Sequence, residues 1–77
     1  MKKCKLSSLP IGKEGIIDNI IWKKNVSSRL MELGFIKGEK IEMIKSSPKE
    51  NVFIIRLLDY EIEIRRNACE LIEVRYE

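Results

Sequence analysis

The residues of this chain whose types could ligate a metal or move a proton are two cysteines, Cys4 and Cys69, and two neighbouring glutamates, Glu61 and Glu63. There is no histidine. Neither a tetrahedral zinc of the usual ligands nor an imidazole base can therefore be built within one copy. Cys69 lies in RNACELIEV among residues expected to be half buried, where a thiol acts as a small hydrophobe; a disulfide or an intermolecular metal site is the alternative. Glu61 and Glu63 alternate outward along EIEIRR as a solvated face rather than as paired acid and base. Gly12 and Gly15 could suggest a phosphate cradle, but the lysine and Ser/Thr ending of a P-loop is missing and a strand follows where a helix is required. No catalytic residue, no intrachain metal site and no cofactor is expected.

Binding is the chemistry left. Fifteen Lys and Arg against twelve Asp and Glu give a formal charge of +3, which permits nucleic acid or an acidic protein as partner without requiring either. The basic clusters, Lys2, Lys3 and Lys5, then Lys23 and Lys24, then Arg65 and Arg66, are interleaved with glutamates, so no single-sign stripe forms. Trp22 beside Lys23 and Lys24 is the best cluster for stacking on RNA; its plainer role is a rim tryptophan covering the end of a barrel. No stable nucleic-acid complex is expected. No stretch approaches the roughly 20 apolar residues that cross a bilayer, and MKKCKLSSLPIG lacks the apolar region of a secretory signal. Cytoplasmic residence without membrane insertion is the expectation, and Cys4 does not read as a lipid-anchor site.

Seventy-seven residues, 44% of them apolar and 35% charged, suit one domain, residues 1–77, with a core small enough to exclude a deep cleft. Leu6 and Leu9 are spaced as anchors, Pro10 and Gly12 mark a turn, and Ile16 to Ile21 form a strand interrupted at Asp18 and Asn19 by a bulge or an edge. Asn25, or Ser27 in competition, caps a helix whose Val26, Leu30 and Leu33 share one face. Gly34 stops it, folding Phe35 back on Leu30. Ile36 to Glu39 match a type II turn with Gly38 at its third position. KIEMIKS is a strand, 46–51 an exposed loop, VFIIRLL a central strand covered on both faces, and EIEIRR its hairpin partner across Asp59 and Tyr60. RNACEL makes one helical turn, and LIEVRY closes with Ile72, Val74 and Tyr76 on one side. The fold expected is mainly β: a small bent barrel of about five strands, with one short α-helix inserted after the first strand.

Three pieces of the chain, in order, resemble the FeoA family of ferrous iron transport accessory proteins. They are Leu9, Pro10, Gly12 and Gly15; Arg29, Leu30, Glu32, Leu33 and Gly34; and Arg65, Arg66 and Ala68. The chain departs from the family's pattern at Lys37, where proline is common, and at Asp59, where glycine often stands. The resemblance implies an SH3-like barrel, no enzyme activity, and binding to the cytoplasmic part of FeoB, the GTPase-linked permease. A similar barrel ends iron-dependent repressors, but no DNA-binding helix pair precedes it here.

The surface expected to dock is Arg29, Met31, Glu32, Phe35 and Lys37, an apolar centre with a charged rim on the one clear helix and its exit. Phe35 is included although its clasp with Leu30 would bury it. A proline-binding groove lacks its row of exposed aromatics. The protein is expected to be a monomer or weak homo-oligomer.

Overall fold

The computed structural model describes residues 1–47, 49 and 51–77. Its strands are β1 (Lys2–Lys5), β2 (Glu14–Ile20), β3 (Lys40–Ser47), β4 (Val52–Leu57), β5 (Tyr60–Arg65) and β6 (Ile72–Tyr76). Helix α1 (Val26–Leu33) joins β2 to β3, and the single turn α2 (Arg66–Cys69) joins β5 to β6. All pairings are antiparallel, in the order β1-β6-β2-β3-β4-β5.

The mainly β architecture with one short helix agrees with the sequence. The strand count is one above the approximate five: among the described residues there are six, and α1 follows the second rather than the first. The additional strand, β1, has the sequence KKCK, with no apolar alternation to announce it, and is held by pairing Lys2 to Tyr76 and Lys5 to Glu73. Its order comes from the backbone ladder rather than from burial.

Alternation of apolar and polar residues along each strand places one face inward. Ile17, Ile41, Met43, Phe53, Ile55, Leu57, Ile72 and Val74 form the core with Leu6 and Leu9. The expectation that β4 is covered on both faces is corrected. Phe53, Ile55 and Leu57 are buried, Ile54 is half buried and Arg56 is exposed. Arg56 instead bridges two strands on the outer face, 3.1 Å from Glu42 and 3.0 Å from Glu61.

Two bulges curl the sheet. One lies between Ile17 and Asn19 on β2, where the interruption was expected; the other is between Met43 and Lys45 on β3. At the first, the extra residue Asp18 turns its carboxylate to Arg75 at 3.0 Å and Lys3 at 3.5 Å, an ion pair with Arg75 rather than an aligned hydrogen bond. Beside it, Asn19 and Lys5 donate to Glu73, holding that carboxyl below its ordinary range. At Gly15 β2 runs so close to β6 that a β-carbon would stand 3.0 Å from the Arg75 carbonyl oxygen.

The curl does not end in a paired seam, because β1 and β5 are the two edges of the sheet. The 3-10 turn Leu6–Ser8 after β1 and α2 after β5 pack on each other there. Leu6 and Cys69 are both buried in the core. The expected loop over 46–51 is shorter than its composition implied: Ser46 and Ser47 belong to β3 and pair with Phe53 and Val52. Pro48 and Glu50, also part of that expectation, lie outside the described residues.

Candidate docking surface

Helix α1 is fastened at its start by a device the sequence did not reveal. Asn25 makes no side-chain cap and takes a left-handed φ of 76°. Ser27, fully buried, accepts a hydrogen bond from the Lys23 amide at 2.6 Å and donates to the Ile21 carbonyl at 3.0 Å. The hydroxyl thus anchors the segment between β2 and the helix instead of capping the helix. Ser27→Ala is expected to lower stability by about 1–3 kcal/mol, because an amide and a carbonyl lose their partner. Urea denaturation measures it, and Ser27→Thr separates the hydroxyl's contribution from packing.

The stop is the one the sequence indicated. Gly34 has φ 109° and ψ 4°, its amide donates to Met31 at 3.0 Å, and the Phe35 amide donates to Leu30 at 3.0 Å. These two bonds define a Schellman motif, with Phe35 and Leu30 as its apolar pair. The following turn closes with Glu39 donating to Ile36 at 3.1 Å, with Gly38 at φ 97°. Gly38 also donates to Ile17, and Ile17 to Glu39, so the helix exit is tied to β2.

Burial divides the five expected docking residues. Phe35 is 0% exposed and belongs to the core, so it is removed from the surface; the C-terminal clasp that places it leaves it no path outward. Arg29, Met31, Glu32 and Lys37 are exposed. They do not form one patch. At about 100° per helical residue, Arg29 and Met31 stand about 160° apart, with Glu32 on the outer crest between them. Arg29 turns toward a groove shared with Val26, Leu30 and Leu33 and with Glu63, Ile64, Arg65, Asn67 and Ala68. Met31 is on the opposite flank, 49% exposed.

Three further exposed apolar residues accompany the helix exit: Ile36, Leu58 and Tyr60. Leu58 and Tyr60 approach Gly34 within van der Waals range of the β-carbon it lacks. The Tyr60 hydroxyl donates to the Leu33 carbonyl, fastening the last turn of α1 to the β4–β5 hairpin. That hairpin turns on Leu58 and Asp59, with Leu58 at φ 57°, where glycine is preferred. Sequence reasoning used Tyr60 only as a separator. The available signal was three large apolar residues at or beside turns, where burial cannot account for them.

Both cysteines are free; burial pushes Cys69 up to about 12 and raises Cys4, so neither supplies a ready thiolate. Among the described residues no three Cys, Asp or Glu cluster as metal ligands. Trp22 is 64% exposed rather than folded over the barrel end, which corrects the rim-cover expectation. No helix among the described residues is long and apolar enough to cross a membrane.

A curled antiparallel sheet, stapled by one short helix whose exit leaves apolar side chains exposed, defines a small SH3-like barrel. The chain belongs to the FeoA family: a model of the FeoA domain matches residues 4–76. This is a family of ferrous iron transport proteins. Over 69 residues the chain is 32% identical to a Campylobacter jejuni protein provisionally named Fe(2+) transport protein A, covering 90% of this chain and 93% of that one. It is 29% identical over 70 residues to the Fe(2+) transport protein A/Fe(2+) transporter FeoB fusion protein of Porphyromonas gingivalis. That match takes in 91% of this chain but only 8% of the fusion protein's length.

Among solved structures, Stenotrophomonas maltophilia FeoA complexed with zinc, described as a procaryotic SH3 domain protein, superimposes with a TM-score of 0.81 at 24% identity, over 94% of this chain and 89% of that one. A manganese-dependent transcriptional repressor in complex with manganese superimposes with a TM-score of 0.92 at 10% identity, over all of this chain and 38% of that one. Both likenesses show the fold alone. That the fold recurs within a repressor means the barrel by itself does not fix a ligand.

Proposed function

We propose that this chain is an adaptor of ferrous iron uptake that docks on the cytoplasmic part of the FeoB permease and modulates it, without catalysing a reaction. The observation that carries this reading is the relative in which a similar segment is fused to FeoB. Fusion holds two modules at high effective concentration, an arrangement that suits partners that otherwise meet by binding. The surface supports it: Met31 and Ile36 offer adaptable and branched apolar contacts, with Glu32 charged on the helix crest, Lys37 at the helix exit and Arg29 on the opposite flank.

The test is titration of the whole chain with the soluble cytoplasmic part of FeoB from the same organism. Arg29→Ala and Met31→Ala are each expected to weaken binding about tenfold, the size of a modest interface anchor of about 1.4 kcal/mol. Equal affinity for wild type and both variants removes the helix surface from the reading. No binding by wild type removes the partner.

A further inference from the structure

Strand β5 has a neighbour on one side only. Its hairpin with β4 closes at Leu57 and Tyr60, and the register continues Arg56 to Glu61, Ile55 to Ile62 and Ile54 to Glu63. In a two-residue hairpin the closing pair exchanges hydrogen bonds and every second pair repeats the exchange. The amide and carbonyl groups of Glu61 and Glu63 therefore point away from β4, toward the open side. No backbone hydrogen bond to another described residue is made by either residue on that side.

Proteins usually blunt such an edge or use it. Along Glu63, Ile64 and Arg65 the open side borders a groove rather than bulk solvent. Its far wall is the α1 flank carrying Val26, Arg29, Leu30 and Leu33, and Asn67 and Ala68 of α2 border it as well. The hydrogen bond from Tyr60 to Leu33 spans α1 and β5. An extended segment lying there would alternate its side chains between the outer face and the apolar Val26, Leu33 and Ala68, all half buried and packed against the core.

Charge chooses the segment. Arg29 on the helix and Arg65 on the strand both line the groove, and neither has an ion-pair partner among the described residues. Arg66, next along, is held by Asn51 at 3.2 Å and lies over the Phe53 ring, so it is committed to the fold. The one carboxylate of the groove, Glu63, also borders an outer-face hollow with Lys45 and Ile54. A positive excess remains, presented as two planar forks suited to carboxylates.

We infer that the partner inserts an extended acidic and apolar segment as a seventh strand on the free edge of β5, pairing with Glu61 and Glu63 and placing a carboxylate between Arg29 and Arg65. This deepens the adaptor reading and rests on it: Met31 and Ile36 would add contacts from outside, while the edge supplies register.

The probe is a nine-residue peptide of alternating valine and aspartate with blocked ends, titrated into the isotopically labelled whole chain and followed by amide shifts and hydrogen exchange. The expected result is slowed exchange confined to Glu61 and Glu63, and at least tenfold weaker binding for the lysine-for-aspartate peptide and for the Arg29→Ala/Arg65→Ala pair. Glu63→Pro removes one edge donor without touching the β4 ladder and should abolish protection at Glu61. Should that variant fail to fold, the same peptide N-methylated at alternate residues, tested on the wild-type chain, should lose binding instead. Protection elsewhere, indifference to N-methylation, or equal binding of the basic peptide overturns the inference. The cytoplasmic part of FeoB is titrated in parallel: binding it tightly while ignoring both edge changes overturns strand addition and leaves the adaptor reading standing. Failure to bind it overturns the adaptor reading, whatever the peptide does.

Discussion

Phe35→Ala is expected to remove about 3–5 kcal/mol of stability, the usual loss when a buried phenylalanine is truncated. The side chain is fully enclosed and is the largest among the wholly buried residues. Since domains hold a total of about 5–15 kcal/mol, the variant should be close to unfolding at room temperature. Urea melts followed by far-ultraviolet circular dichroism check it, with the midpoint falling sharply. Phe35→Leu, which keeps most of the apolar volume, should retain the fold and, on the adaptor reading proposed above, leave the affinity for FeoB unchanged. A leucine variant that stays folded but loses the partner would return Phe35 to the docking surface, against its burial.

Gly34→Val is expected to be the next most damaging change, by about 2–5 kcal/mol. Left-handed backbone costs an ordinary residue about 1–2 kcal/mol, and overpacking a filled site adds about 1–3. The φ of 109° supplies the first cost, and Leu58 and Leu57, 3.3 and 3.4 Å from an added β-carbon, supply the second. Gly34→Asn should be milder, since asparagine tolerates positive φ better than a branched residue. A calorimetric melt ranks the two. If valine and asparagine lower the melting temperature equally, tolerance of positive φ does not set the cost, and the β-carbon that both add against Leu58 and Leu57 does.

The helix stop, the type II turn, the β2 bulge, the outward glutamates and the final strand were legible because each is a local rule written in adjacent residues. Glycine at a left-handed position and strict alternation leave few solutions. What the sequence hid depended on partners far along the chain. β1 is a strand because β6 offers it a ladder, and KKCK carries no pattern of its own. Ser27 looks like a cap until the loop from Ile21 to Lys23 is seen to need a donor and an acceptor. The β4–β5 turn lacks glycine and still closes tightly on Leu58, since tertiary packing against Gly34 compensates for a poor local choice. The candidate docking residues were chosen by type and expected exposure. Their division over two flanks of α1 follows from helical phase, which was available in the sequence, whereas the groove opposite Arg29 required knowing that β5 ends the sheet.

The two thiols give this small barrel an internal gauge of its own opening. Cys69 is sealed in the interior, whereas Cys4 is only partly covered on an outermost strand. An alkylating reagent therefore meets Cys69 only in molecules that have come apart, and meets Cys4 whenever the first strand peels from the sixth. One labelling time course thus reads fraying and global unfolding separately, without adding a foreign probe.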